Sequence, residues 1–234
     1  MIVILAAMDC EVQALLGRIP GTSAVDDAPY MWQRGRLAGH EVVVAKTGVG
    51  KVLAAACAQR AIDRFNPAAI LCTGVAGALV SELRIGDIVV STDCVQHDVD
   101  ARALGFRRGE IPYERHFSVE ADKELIKVAS KFRASPARLH FGRILSGDQF
   151  VASTGKQDTA HLNEELGGLA VEMEGASVAL VCHINAIPFL VIRTISDVSD
   201  GKAALEFNAA KQIAAQNSAS AVEFIVTNAP EGKG

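Results

Sequence analysis

Aromatic residues are scarce, at 5% of 234 residues with a single Trp, although half of the chain is hydrophobic. A core built under that restriction relies on Ala, Val, Ile and Leu, the usual material of buried strands and their covering helices, and this favours α/β over an all-β barrel. Concentrated charge of one sign is also lacking. The formal net charge is -4, carried by scattered residues, and no basic stripe could neutralise a row of phosphates, so nucleic acid is not an expected partner. The five cysteines (Cys10, Cys57, Cys72, Cys94, Cys182) are dispersed, odd in number and form no CxxC or Cys/His cluster. That leaves neither a disulfide framework nor a metal site to expect, and free buried thiols are the simpler reading. Long apolar runs are nearly absent. The longest uncharged stretch, Gly175 to Ile192, contains His183, Asn185 and Pro188 and lacks flanking anchors, so it reads as helix, turn and strand rather than a membrane span. The chain opens on the strand-like Ile2-Val3-Ile4-Leu5-Ala6 without the basic region or cleavage site of a secretory signal, and a cytoplasmic location is expected.

Apolar runs of strand length recur at Ile2 to Ala6, Val42 to Ala45, Ile70 to Thr73, Ile88 to Val95, Leu139 to Leu145 and Phe189 to Ile195. Helix-like stretches lie at Cys10 to Leu16, Val49 to Phe65, Val119 to Lys131, Thr154 to Leu166, Gly175 to Ile184 and Phe207 to Val226. Such alternation predicts a single α/β domain over residues 1–227, with a mixed, largely parallel central sheet flanked by helices, and a frayed tail at 228–234. Ser118 reads as the N-cap of the helix at Val119, with Glu120 and Asp122 in its first turn. The stretch from Asp98 to Pro112 is longer than an ordinary connection and is expected to cover a site or an interface.

Several short motifs have both a plain and a functional reading. Thr47-Gly48-Val49-Gly50-Lys51 follows a strand and opens a helix, so its amides could approach a ligand; it lacks Walker spacing, and glycines at such a turn are also ordinary turn chemistry. Thr73-Gly74-Val75-Ala76-Gly77 reads as a second turn closing a buried strand. Small residues there serve a shared crevice or simply close packing. In Val171-Glu172-Met173-Glu174-Gly175, two acids stand where a long uncharged stretch begins. They either satisfy a helix N-terminus or accept hydrogen bonds from a ligand's vicinal hydroxyls. Arg193-Thr194-Ile195-Ser196-Asp197 ends the last apolar strand, which makes Asp197 either a partly desolvated proton donor or part of a Ser-Asp turn. Glu11, in the first turn of the first helix, means little alone. No histidine pairs with a Ser or Cys in a nucleophile motif, so nucleophilic catalysis and metal binding lack support.

Taken together, Ala7-Met8-x-x-Glu11, Thr47 to Lys51, Gly74 to Gly77, Ser146-Gly147-Asp148-x-Phe150, Val171 to Glu174 and Ser196-Asp197 resemble the bacterial 5′-methylthioadenosine/S-adenosylhomocysteine nucleosidases, of the purine nucleoside phosphorylase superfamily. The likeness runs from Met1 to about Val226 with every motif in order. It implies a nucleoside phosphorylase-like fold and a hydrolase that releases adenine from 5′-thio-substituted nucleosides without metal or other cofactor. Asp197 would then protonate purine N7, Glu174 and Met173 would hold the ribose hydroxyls beside Glu172, and Glu11 with Arg193 would orient and activate water. Phe150 would stack on adenine, and the Val151 backbone would read its edge. Met8, Val49 and Phe207 would line the ribose and the 5′ pocket, with Ala76, Gly77 and Ser196 completing the wall. The resemblance also implies a homodimer in which the loop bearing Leu104, Phe106 and Pro112 completes the neighbouring subunit's pocket. Two positions depart from the pattern: some relatives carry Ser where Val75 stands, and an aromatic is familiar where Leu104 stands. A carboxylate near the anomeric carbon would repel phosphate, which favours hydrolysis over phosphorolysis. The rival readings are a phosphorylase of the same fold, a 6-amino-6-deoxyfutalosine hydrolase and a non-catalytic nucleoside-binding protein.

Overall fold

The computed structural model describes residues 1–114, 116–151, 156–197 and 203–229, with side chains at 156–158 and 203–204 left out. The expected helix start at Thr154, Asp200, and the tail from 230 onward lie outside the described residues. Ten strands and six α-helices follow in order: β1 (Ile2–Ala6), α1 (Asp9–Leu16), β2 (Ser23–Asp27), β3 (Tyr30–Leu37), β4 (His40–Lys46), α2 (Lys51–Phe65), β5 (Ala69–Ala78), β6 (Ile88–Gln96), β7 (Val119–Glu120), α3 (Lys123–Ala129), β8 (Leu139–Ser146), α4 (Lys156–Glu164), β9 (Gly168–Glu172), α5 (Gly175–Ile184), β10 (Phe189–Asp197) and α6 (Ala203–Asn228). The uncharged stretch from Gly175 thus resolves into helix, turn and strand. No described helix is long and apolar enough to cross a membrane.

The sheet is mixed. Parallel pairings join β1 to β4 and β5, β5 to β10, and β8 to β6 and β9. Antiparallel ones build the β2–β3–β4 meander and join β5 to β9 and β6 to β10 and β7. Because β5 pairs with both β9 and β10, the path β5–β9–β8–β6–β10 closes on itself, and β1, β4, β3 and β2 extend from it. β1 and β10 are buried along their whole length, as strands with both faces covered must be, and this explains the unbroken apolar runs of β1 and of Phe189 to Ile192. Helix α2 turns Ala54, Cys57, Ala58 and Ala61 inward, a small-residue stripe at helical spacing that lets it lie close to its neighbours. Trp32, fully buried on β3, packs edge-on against Phe65 at 5.1 Å between ring centres. Four of the five thiols are buried and all five are free.

Two expected boundaries are corrected. Thr73 to Gly77 is not a turn: β5 runs through to Ala78 because β10 keeps pairing with it as far as Asp197–Gly77. The helix expected from Val119 begins at Lys123, since Val119 and Glu120 pair with Cys94 and Asp93 as β7. Its N-cap is Asp122, whose carboxylate accepts from Leu125 N at 2.9 Å, rather than Ser118. The stretch from Asp98 to Pro112 holds one 3-10 turn (Arg102–Leu104).

Candidate active site

Six strands deliver side chains to one cleft of about 660 Å³. Ala7, Met8 and Glu11 follow β1; Val49 follows β4; Val75, Ala76 and Gly77 lie in β5; Gln149, Phe150 and Val151 follow β8; Val171 to Glu174 end and follow β9; Ser196 and Asp197 end β10. Phe207 closes it from α6, edge-on to Phe150 at 5.7 Å. Although β9 runs antiparallel to β5, its C-terminal residues reach the same cleft because the sheet curls.

Glu11 folds back on its own helix start. One carboxylate oxygen accepts from Ala7 N and Met8 N, both at 2.9 Å, and the other from Val75 N at 3.1 Å across to β5. The group thus caps α1 and also lines the cleft. Burial pushes its pKa up against the opposing pull of Arg193 and the three amides.

The two acids flanking Met173 divide the work. Glu172 takes amides of Glu174 and Gly175 at the start of α5, together with the Ser146 hydroxyl and the Arg193 guanidinium. Its carboxylate is thus saturated by the protein, which is the plain reading. Among the described residues Glu174 accepts only Gly50 N at 2.9 Å and a longer contact from Arg193 at 3.4 Å, which leaves acceptor capacity toward the cleft. Gly50 has φ +102°, a left-handed conformation that glycine tolerates, and this aims its amide at Glu174.

Arg193 is fully buried beneath the cleft instead of lining it, against Glu172, Glu174 and the Cys72 sulfur. Burial opposes its charge, and the neighbouring carboxylates outweigh that, so its pKa is raised. One guanidinium cannot neutralise three buried carboxylates. The excess falls on Glu174, whose pKa is pushed up to about 7 by burial and by Glu172. Ser196 Oγ donates to Asp197 Oδ2 at 2.9 Å, and Asp197 is almost wholly buried.

Of the expected site residues, Leu104, Phe106 and Pro112 do not reach this cleft within the chain. Leu104 is 67% exposed, and Phe106 packs edge-on against Tyr113. Ala7, Gln149 and Val171 line the cleft without having been singled out, each inside a motif whose neighbours carried the signal, and Val75, noted above as a departure from the family pattern, lines it too. No Lys, Arg or His is among the described lining residues, and no group of three or more His, Cys, Asp or Glu among the described residues could hold a metal ion.

This closed sheet with an acid-lined cleft is that of the phosphorylase superfamily, whose family model matches residues 1–227. A 5′-methylthioadenosine/S-adenosylhomocysteine nucleosidase of Staphylococcus haemolyticus is 37% identical over 97% of this chain and 99% of its own. The Neisseria meningitidis nucleosidase of the same name, solved with methylthio-immucillin-A, superposes with a TM-score of 0.90 at 35% identity, covering 97% of this chain and 98% of the other. A futalosine hydrolase of Helicobacter pylori superposes equally well, at 0.90 and 35% identity over 96% of each chain. The chain belongs to the 5′-methylthioadenosine/S-adenosylhomocysteine nucleosidase family.

Proposed function

We propose that this chain hydrolyses the N-glycosidic bond of 5′-thio-substituted adenine nucleosides, methylthioadenosine and adenosylhomocysteine above all, releasing adenine. The observation that carries the reading is the meeting of Asp197, Glu11 and Glu174 in a single cleft with no cationic side chain among its described lining residues. Cleaving a ribosyl bond creates an oxocarbenium-like sugar and a poor leaving group, which improves once purine N7 is protonated. Asp197 supplies that proton. Glu11 accepts a proton from water as its oxygen bonds to the anomeric carbon, and its charge stabilises the developing cation. Glu174 and the Met173 backbone hold the ribose hydroxyls. Phe150 and Phe207 flank the base and the sugar, Val151 presents backbone to the adenine edge, and Met8 and Val49 line the 5′ side. Arg193 acts from beneath, its guanidinium donating to Glu172 and, at longer range, to Glu174, and so fixing where both carboxylates sit.

Four acidic side chains line the cleft, Glu11, Glu172, Glu174 and Asp197, and they disfavour phosphate as the nucleophile. A second substrate reading, 6-amino-6-deoxyfutalosine, is favoured by the likeness to the H. pylori futalosine hydrolase. We further propose a homodimer whose partner supplies Leu104, Phe106 and Pro112 to the 5′ side, consistent with the exposure of Leu104 and Tyr113. A fully active monomer in sedimentation would remove that idea. A cytoplasmic location accompanies this reading, supported by the free thiols, which suit a reducing compartment. The test of substrate is adenine release from methylthioadenosine, adenosylhomocysteine, 5′-deoxyadenosine and 6-amino-6-deoxyfutalosine, compared as kcat/KM. The thio-nucleosides are expected to lead; a lead for the futalosine derivative selects the second reading.

A further inference from the structure

The cleft has two walls made of irregular backbone. One is the turn from Thr47 to Gly50, which brings Val49 and the Gly50 amide that binds Glu174. The other is the segment 147–151 after β8, which brings Gln149, Phe150 and Val151. Each is tied to the sheet at its first residue, Thr47 N donating to Ala6 O and Gly147 N to Glu172 O, but neither continues as strand or helix, so the separation of the two walls beyond those points must be fixed by other contacts.

Three residues outside the cleft lining form a closed ring between the two walls. The Lys51 amide, left without an intrahelical partner at the start of α2, donates to Asp148 Oδ1 at 2.8 Å. The Asp148 amide donates to Asp98 Oδ2 at 2.9 Å. Asp98 Oδ1 accepts from Lys51 Nζ at 2.5 Å, and Gln96 Oε1 accepts from the same ammonium at 3.0 Å. A Cβ on Gly50 would meet Asp148 Oδ1 at 3.1 Å, so the turn lies directly on the ring. Gly147 packs against the buried His97 imidazole, where a side chain would collide. The Lys51 and Asp98 side chains are only 15% and 22% exposed, and a pair so shielded couples more strongly than an exposed one.

We propose that Asp98 and Lys51 are positioning residues, closing with Asp148 a clamp that sets the base-side segment 147–151 against the ribose-side turn. This rests on the nucleoside-cleft reading above. None of the three side chains lines the cleft; they act through Phe150 and Val151 on one wall and through Gly50 and Glu174 on the other. Misplacing either wall by a fraction of an ångström costs binding and alignment without removing any group that reacts.

The test uses the full chain with Asp98→Asn and Lys51→Met, singly and together. Three readings are taken: adenine affinity by calorimetry, KM and kcat for methylthioadenosine, and Tm. Each single variant should weaken adenine binding and raise KM by about 3- to 30-fold, and the double variant should be no worse than the worse single one, because one ring is broken once. A merely structural role would lower Tm and leave adenine affinity and the KM-to-kcat balance unchanged. Folded variants with wild-type adenine affinity and KM, or strictly additive losses, would overturn the clamp. Should Asp98→Asn not fold, Lys51→Met alone decides by the same readings. Wild-type protein that neither binds adenine nor cleaves the nucleoside would instead refute the function itself.

Discussion

The Glu11 carboxylate and the Arg193 guanidinium converge over Gly74, where a Cβ would lie 2.6 Å from Glu11 Oε1 and closer still to Arg193 Nη1. Both side-chain ends are pinned, Glu11 by three amides and Arg193 by two carboxylates, so neither can yield cheaply. Gly74→Ala is therefore predicted to cost about 1–3 kcal/mol of stability, the usual range for overpacking. Turnover should fall at least about tenfold because Glu11 is displaced from its alignment. Unchanged kcat in a folded variant would mean that the position of Glu11 does not matter to the chemistry.

Ser146 links two buried groups, donating to Glu172 and accepting from Ala176 N at 2.6 Å. Ser146→Ala leaves a carboxylate oxygen and an amide under-satisfied inside the protein. The expected loss is about 1–3 kcal/mol in urea denaturation, the penalty of an orphaned buried polar group. A loss below about 0.5 kcal/mol, the range of ordinary surface substitutions, would show that relaxation or water replaces the hydroxyl.

Glu174 makes binding pH-dependent. Its pKa in the free protein is raised to about 7, and hydroxyl donors from ribose stabilise the ionised form more than the protonated one. Affinity is thus complete above about pH 7 and lost as pH falls through that value, with protons released on binding. Calorimetry in buffers of differing ionisation enthalpy should detect that release near neutral pH, and Glu174→Gln should abolish it. A KM that is flat down to pH 5, well below that value, would contradict the role given to Glu174.

Asp197→Asn should fold and bind nucleoside, yet lose about 10²- to 10⁴-fold in kcat, since the amide cannot supply the N7 proton. Near-normal turnover would remove Asp197 from the mechanism.

Much of this architecture was legible because buried strands advertise themselves. β1 and the first halves of β5 and β10 are apolar runs, and the motifs in the sequence name Glu11, Glu174 and Asp197, which the folded chain brings to one cleft. The β2–β3 hairpin was invisible because most of its side chains face outward: along β3 only Trp32 and Leu37 are buried, too few for a strand pattern to emerge. β9 is five residues long, too short for periodicity to separate strand from helix. The different duties of Glu172 and Glu174 could not be read at all. They depend on Ser146, Gly50 and Arg193, which are distant in sequence and meet only when the sheet closes. Arg193 was expected near water, and its guanidinium lies beneath the carboxylates instead.

The account rests most heavily on water, rather than phosphate, as the nucleophile. The direct measurement is the rate of adenine release from methylthioadenosine in phosphate-free buffer and again with millimolar phosphate added, with the sugar product identified. The account predicts equal rates and a free reducing sugar in both. Release that requires phosphate and yields a sugar 1-phosphate would contradict it.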